Sequence, residues 1–198
     1  MNTLALTILA GVATLVALAA ADITAISDSD RAFLLQKHND YRTAEPAVTM
    51  PNLTWSSSLE SSAQAWTDAC HYAHQSGQSW GENIAAGTAG SMDNQAAMNL
   101  MVDLWTGESQ YNTDGSFSCC SSTGNSCCHL TQVVWATTTE VGCGISFCST
   151  LTTSSGSISN AAYLACYYNP PGNKPVATCT FDWSPYEAVT TTTTTAMP

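Results

Sequence analysis

The sequence predicts an α+β fold, on three observations. Several stretches in its first 110 residues carry apolar side chains at helical spacing. Two apolar runs rich in aromatic and β-branched residues, 141–148 and 162–168, come late in the chain. Helices and strands follow one another without the regular strand–helix period of a doubly wound sheet.

The elements can be justified in order. Residues 1–20, "MNTLALTILAGVATLVALAA", have no charged side chain and end in small residues, as a secretory signal peptide does. "DSDRAFLLQKHNDYRTAE" (28–45) predicts a helix, with cap and first-turn acids from Ser27 to Asp30 and one face made by Leu34, His38 and Tyr41. "SSLE" (57–60) predicts a capping box. It opens a helix on which Leu59, Ala63, Trp66 and Cys70 recur on one face, with His74 near it. A third helix is predicted over 92–108, with Ala97, Met101, Leu104 and Glu108 on one face. That puts a carboxylate at the end of an apolar stripe, where it needs a partner. The Ser/Thr-rich stretch between the two strands predicts a loop. Residues 185–198 form a Thr-rich tail without the apolar end that a GPI-type lipid anchor needs. The expected organisation is a signal peptide at 1–20, one domain at 21–184 and the tail at 185–198.

Charge excludes some functions. Four basic residues stand against fifteen acidic ones, a net charge of −11. Such a chain does not neutralise phosphate backbones, so no nucleic-acid partner is expected. Anionic membrane surfaces are disfavoured too, and no further apolar run is long enough to span a bilayer. Nine cysteines behind a signal peptide predict a disulfide framework with one left over. "CCSSTGNSCC" (119–128) holds four of them; disulfides closing a short loop are expected there rather than a thiolate zinc site. Asn52 heads an "NLT" sequon, an N-glycosylation acceptor.

Chemistry concentrates in few places. His74, Glu82, Glu108 and His129 combine imidazole with carboxylate, which suits a divalent ion or proton transfer. Their spacing matches no local metal signature, and a hydrogen-bonded polar cluster is the alternative. His71 and His74 lie three apart, but His71 suits a solvated helix end. "GQSWG" (77–81) matches the nucleophile-elbow pattern, and Ser79 followed by Glu108 or Asp114 and then His129 gives the right order. A polar helix end precedes it instead of the apolar strand an elbow needs, so Ser79 is read as a loop residue. Trp80, in that loop beside Glu82, is the candidate for a ligand pocket or its rim.

With these motifs in place, the chain resembles the CAP superfamily of cysteine-rich secretory, antigen 5 and pathogenesis-related proteins. "HNDYR" (38–42), "LTWSSSLESSAQAWTDAC", "HQS…GEN", "WTGESQY" (105–111), "HLTQVVWATTTEVGCG" (129–144) and "YLACYYNPPGN" (163–173) are similar to its motifs, in the family's order from Arg31 to Lys174. The wording is similar to that of fungal secreted members. Cys128 and Leu130 flanking His129, Tyr167, and Lys174 after "GN" depart from the usual pattern. The resemblance implies a disulfide-braced α-β-α sandwich around a central antiparallel sheet. It implies that His74, Glu82, Glu108 and His129 converge in one cleft that binds zinc or magnesium in some relatives, and that His38 and Arg42 are structural. It also implies Cys143–Cys166 and Cys70–Cys148 bridges, with a third from Cys119 or Cys120 to Cys127 or Cys128. Alternation along 141–148 independently puts Cys143 and Cys148 on opposite faces, with different partners. Three functions follow from the resemblance. The first is secreted binding of a small apolar ligand, a sterol or fatty acid. The others are metal-dependent extracellular hydrolysis with Glu82 or Glu108 as base, and docking onto a protein partner that the sequence does not identify.

Overall fold

The computed structural model describes residues 26–45, 50–113, 117 and 126–173. The signal-peptide residues, Cys119, Cys120, Cys179 and the Thr-rich tail lie outside them.

Helix α1 (Asp28–Ala44) starts where its cap predicts: Ser27 and Asp30 form a reciprocal capping box. Its buried face is Asp30, Leu34, His38 and Arg42, while Tyr41 is half-buried. Strand β1 (Thr54–Trp55) leads into α2 (Ser57–Asp68). The expected box at 57–60 does not form. The N-cap is Ser56, and the Glu60 carboxylate instead accepts from Arg31 Nε at 2.8 Å, Arg31 Nη2 at 2.7 Å and Trp55 Nε1 at 2.7 Å. A bidentate arginine outbids a backbone N–H for a carboxylate. Helix α2 ends at Asp68, so Cys70 and His74 lie beyond it; His71 belongs to β2 (His71–Tyr72).

Strand β3 (Gly81–Thr88) has an Ala- and Gly-rich sequence with little strand propensity, and nothing in its pattern predicts it. Helix α3 (Asn94–Thr106) buries Ala97, Met98, Met101, Val102 and Trp105, while Leu104 is exposed. The predicted face was rotated, because the stripe widens through Met98 and Val102. A 3₁₀ turn (Gly107–Tyr111) and the short α4 (Cys128–Val133) follow. Strands β4 (Glu140–Thr153) and β5 (Gly156–Asn169) run far past their predicted ends into a two-residue hairpin. The stretch expected to be a loop is strand to its tip, where Gly156 at φ +146° takes a backbone that favours glycine.

The sheet order is β1-β4-β5-β3, with β2 also on β4. β4, β5 and β3 are antiparallel, as expected; the two-residue β1 and β2 join β4 in parallel. Helices cover both faces. Leu34, Met98, Val102 and Trp105 of α1 and α3 pack with Val141, Ile145 and Leu164 on one side. Leu59 and Ala63 of α2 pack with Tyr163, Ala165 and Tyr167 on the other.

Both implied bridges are present. Cys143–Cys166 ties directly opposed residues of β4 and β5, and Cys70–Cys148 ties the chain after α2 to the other face of β4. Each contributes roughly 3–4 kcal/mol by closing its loop in the unfolded chain. Cys127 and Cys128 are also disulfide-bonded, but the expected third bridge involves residues outside those described.

Candidate functional site: two histidine–glutamate pairs

The four singled-out residues come together as two pairs. Glu82, on β3, faces the α2 side of the sheet, opposite Tyr167 in register. Its carboxylate accepts from His74 Nδ1 and from the Gln75 N–H at 3.2 Å. Glu108, in the 3₁₀ turn, accepts from His129 Nδ1 at 2.6 Å, from the His129 N–H at 2.9 Å and from the Leu130 N–H at 3.1 Å. Glu108 therefore supplies the side-chain cap that α4 lacks at Cys127. This meets the need of a carboxylate at the end of an apolar stripe. Consecutive residues of β3 join the pairs, since the Asn83 amide donates to the His129 carbonyl at 3.0 Å.

In both pairs Nδ1–H points at the carboxylate. Neither Nε2 has a protein hydrogen bond among the described residues. This is the orientation that carboxylates impose on metal-ligating histidines, so each pair fits one imidazole ligand with its orienting partner. Among the described residues, no three His, Cys, Asp or Glu side chains come close enough together to hold a metal ion. His74 is mostly exposed, with 66% of its side chain accessible against 11% for Glu82. The hydrogen bond to Glu82 raises the His74 pKa, desolvation opposes the rise, and the Glu82 charge adds to it.

Aromatic rings wall the Glu82 side. Trp80 stacks on Tyr167 with centroids 5.1 Å apart, and Tyr72 meets Tyr163 edge-on at 5.5 Å. Burial, and next the Glu82 charge, push up the pKa of all three tyrosines, so they stay neutral hydroxyls. Tyr167 donates to Gln75 Oε1 at 2.7 Å. Among the described residues, Trp80 Nε1 is the one buried side-chain nitrogen or oxygen without a hydrogen-bond partner. Of the other tryptophans, Trp105 is core, donating to the Ile84 carbonyl at 3.1 Å and stacking on His129. Trp66 donates to the Ala73 carbonyl at 2.9 Å. Ser79 is exposed and makes no hydrogen bond to a histidine. Every described cysteine is in a disulfide.

Sequence reasoning missed a polar chain beneath the site. Asn83 donates to the Tyr168 hydroxyl at 3.2 Å, Tyr168 donates to His38 Nε2 at 2.9 Å, and His38 Nδ1–H donates to the Leu34 carbonyl at 2.8 Å. Asn83 directly follows Glu82, which is the one signal that could have flagged it. The chain fixes the neutral tautomer of His38, and full burial lowers its pKa to about 4. Between its ordinary 6.5 and 4, the unfolded chain binds a proton that the folded chain refuses, so stability is lost as pH falls through that window. The loss should approach about 3 kcal/mol. His74 has the opposite sign: its raised pKa contributes stability below 6.5 that is lost as pH rises through the folded value. That part is small, because the ring is exposed. Urea midpoints from pH 7 to 4 should fall in the native protein and fall less in His38→Gln. Parallel slopes in the two would refute this assignment.

The chain is similar to known proteins in sequence and in fold. The family model described as the cysteine-rich secretory protein family matches residues 35–168. Peptidase inhibitor 16 of Bos taurus is 34% identical over 152 residues, covering 75% of this chain and 31% of that protein. A probable pathogenesis-related protein of Arthroderma benhamiae is 39% identical over 145 residues, covering 69% of this chain and 43% of that protein. Venom allergen 3 of Solenopsis invicta is 33% identical over 170 residues, covering 74% and 70%. The chain thus spans about a third of the first of these curated relatives. Among solved structures, Na-ASP-1 has a TM-score of 0.63 at 25% identity, over 74% of this chain and 40% of that one. NaASP2, solved with Zn²⁺, has a TM-score of 0.60 at 24% identity, over 74% and 82%. The motif order, the α+β sandwich and the family match coincide: the chain belongs to the CAP, or cysteine-rich secretory protein, family.

Proposed function

We propose that this chain is an extracellular protein that holds a small apolar ligand, a sterol or fatty acid, beside the His74–Glu82 pair, with zinc or magnesium on the histidines. The observation that carries this reading is Trp80: an indole stacked on Tyr167, with its buried N–H unpartnered, next to a paired carboxylate. A buried donor without an acceptor calls for one from outside the fold. An aromatic wall with one or two aimed polar groups is how sites for apolar ligands are built. Trp80 Nε1 would donate to the ligand's hydroxyl or carboxylate while the ring covers its apolar body. His74 and His129 would hold the cation through Nε2, with Glu82 and Glu108 orienting them. A bound cation would supply positive charge for a ligand carboxylate.

No described serine or cysteine is placed as a nucleophile, which favours binding over covalent turnover. Secretion is supported by the apolar 1–20 stretch and the disulfides, and no described helix is long and apolar enough to cross a membrane. Asn52 is exposed in irregular chain before β1 and would carry the glycan; a mass loss on peptide N-glycosidase treatment reads it.

The test is equilibrium binding of radiolabelled cholesterol and palmitate to the secreted protein, alongside peptidase and esterase assays. Saturable binding of one lipid without turnover is expected, about tenfold weaker in Trp80→Ala. Zinc titration calorimetry should show binding that weakens as pH falls and is lost in the His74→Ala, His129→Ala double variant. Chelator-sensitive turnover abolished by Glu82→Gln, with no lipid bound, would overturn the reading in favour of hydrolysis.

A further inference from the structure

The β4–β5 hairpin tip carries a cavity of about 360 Å³ that shares Tyr72 with the aromatic wall of the Glu82 side. One part of its lining is Tyr72 and Ile158; the other is the hydroxyl-bearing Thr153, Ser154, Ser155 and Ser157. We infer that this cavity binds a neutral polyhydroxylated ligand, a saccharide unit.

The chemistry of the lining selects that class. The chain holds fifteen acidic residues, yet no charged side chain lines the cavity. A phosphate or carboxylate would find no cation there and would be held within a strongly acidic protein. A purely aliphatic chain would take hydroxyls out of water without returning a hydrogen bond, which costs free energy at each one. Serine and threonine hydroxyls both donate and accept, as sugar hydroxyls do, so the two sets can satisfy each other. The aromatic and aliphatic part suits the apolar C–H face of a pyranose ring. The size falls within the range of small-molecule sites.

The frame is braced as a binding site requires. Strand β2 pairs with β4 at Thr152 and Thr153, the Thr152 N–H donates to the Cys70 carbonyl at 2.9 Å, and the Cys70–Cys148 bridge ties the same segment to β4. Tyr72 is held edge-on against Tyr163. Apart from Ser154 and Ser155, which form the two-residue turn, the lining sits on paired strands, so little ordering entropy remains to be lost there on binding.

The experiment is ¹⁵N–¹H NMR of the full secreted protein titrated with methyl β-D-glucopyranoside, an N-acetylglucosamine trimer and a mannose trisaccharide, with inorganic phosphate and decanoate as separate arms. At least one saccharide should shift the amides of Ser154–Ile158 and Ala86 saturably. Phosphate and decanoate should leave them in place. Tyr72→Ala should weaken binding about tenfold, the loss of an aromatic face. Ser157→Ala, at an exposed position that the fold does not need, should weaken it about threefold, the loss of one hydrogen bond. His74→Ala should leave it unchanged, which separates this site from the lipid and metal reading. No saturable shift with any saccharide, shifts confined to other residues, equal affinity in Ser157→Ala, or displacement of the saccharide by decanoate would each overturn the inference.

Discussion

Arg42→Ala is expected to cost this protein roughly 3–5 kcal/mol, enough to unfold a marginally stable domain. The guanidinium is fully buried and, among the described residues, donates five hydrogen bonds to four backbone carbonyls. Nε and Nη2 reach Pro51 at 2.9 and 2.7 Å; Nη1 reaches Val133 at 3.0 Å and Trp135 at 2.8 Å; Nη2 also reaches Thr138 at 3.1 Å. These carbonyls belong to the segment entering β1, to the last residue of α4 and to the chain between α4 and β4. Arg42 acts as their common hydrogen-bond partner, as a neighbouring strand would. Alanine leaves the carbonyls buried without those donors. Lysine keeps the charge but has one nitrogen with three donors and no fork, so Arg42→Lys should recover less than half of the loss. Urea denaturation of the disulfide-intact protein measures both, with a lowered midpoint at unchanged slope as the expected result. A loss below about 1 kcal/mol in Arg42→Ala would refute this role. It would show that water or a local rearrangement satisfies those carbonyls.

Much of the fold was legible because periodicity and cap chemistry agree in places. α1 is the clear case: Ser27 and Asp30 cap it, and Leu34 and His38 lie on its buried face. The bridges were legible through the family's motif order, and alternation along β4 independently separates Cys143 from Cys148. Three features were not legible, for different reasons. β3 reads GENIAAGT, with Ile84 its one β-branched apolar residue, and it is a strand because β5 offers it an edge and α3 covers it; its own propensity asks for one only weakly. Beyond Cys148 the hairpin has only Leu151 and Ile158 as large apolar side chains among serines and threonines, too few for an alternation to mark it. Glu60 sits where a capping box wants a carboxylate, but Arg31, 29 residues away in sequence, holds it. The candidate site divides in the same way. Its four titratable residues were found by residue type and motif, while their pairing, His74 with Glu82 and Glu108 with His129, depends on tertiary placement. Gln75, Asn83 and Tyr168 went unnoticed as site residues because amides and a core tyrosine carry no chemical signature in a sequence.

Gly144→Ala should push α2 off the sheet. A methyl group built at Gly144 would lie 2.3 Å from the Gln64 nitrogen, 2.4 Å from the Gln64 Cα and 2.6 Å from the Ala63 carbonyl carbon. These are backbone atoms, so no side-chain rotation relieves the overlap and the helix itself has to move. Gly142, two residues earlier on the same face, is as tight: its added carbon would meet the Glu60 nitrogen at 2.3 Å and the Ser56 oxygen at 2.5 Å. The close approach serves a purpose. Between its short pairings with β1 and β2, the outer edge of β4 has no strand partner among the described residues, and Gln64 takes that place. Its Nε2 donates to the Ile145 carbonyl at 2.9 Å, and its Oε1 accepts the Ile145 N–H at 3.1 Å. Ser146 adds hydrogen bonds to Thr67 at 2.9 Å and Asp68 at 2.6 Å. Lifting α2 breaks this set together and strains the segment that Cys70 ties to Cys148. The expected loss is about 3 kcal/mol or more, at the upper end of what overpacking costs, and Gly144→Val should abolish recovery of folded protein. Gly87→Ala is the control. A methyl group there meets nothing within 4 Å, so its effect should stay within about 0.5 kcal/mol of zero. If Gly144→Ala and Gly87→Ala shift the urea midpoint alike, α2 is not held against β4 by this contact, and Gln64 is not the edge partner of Ile145.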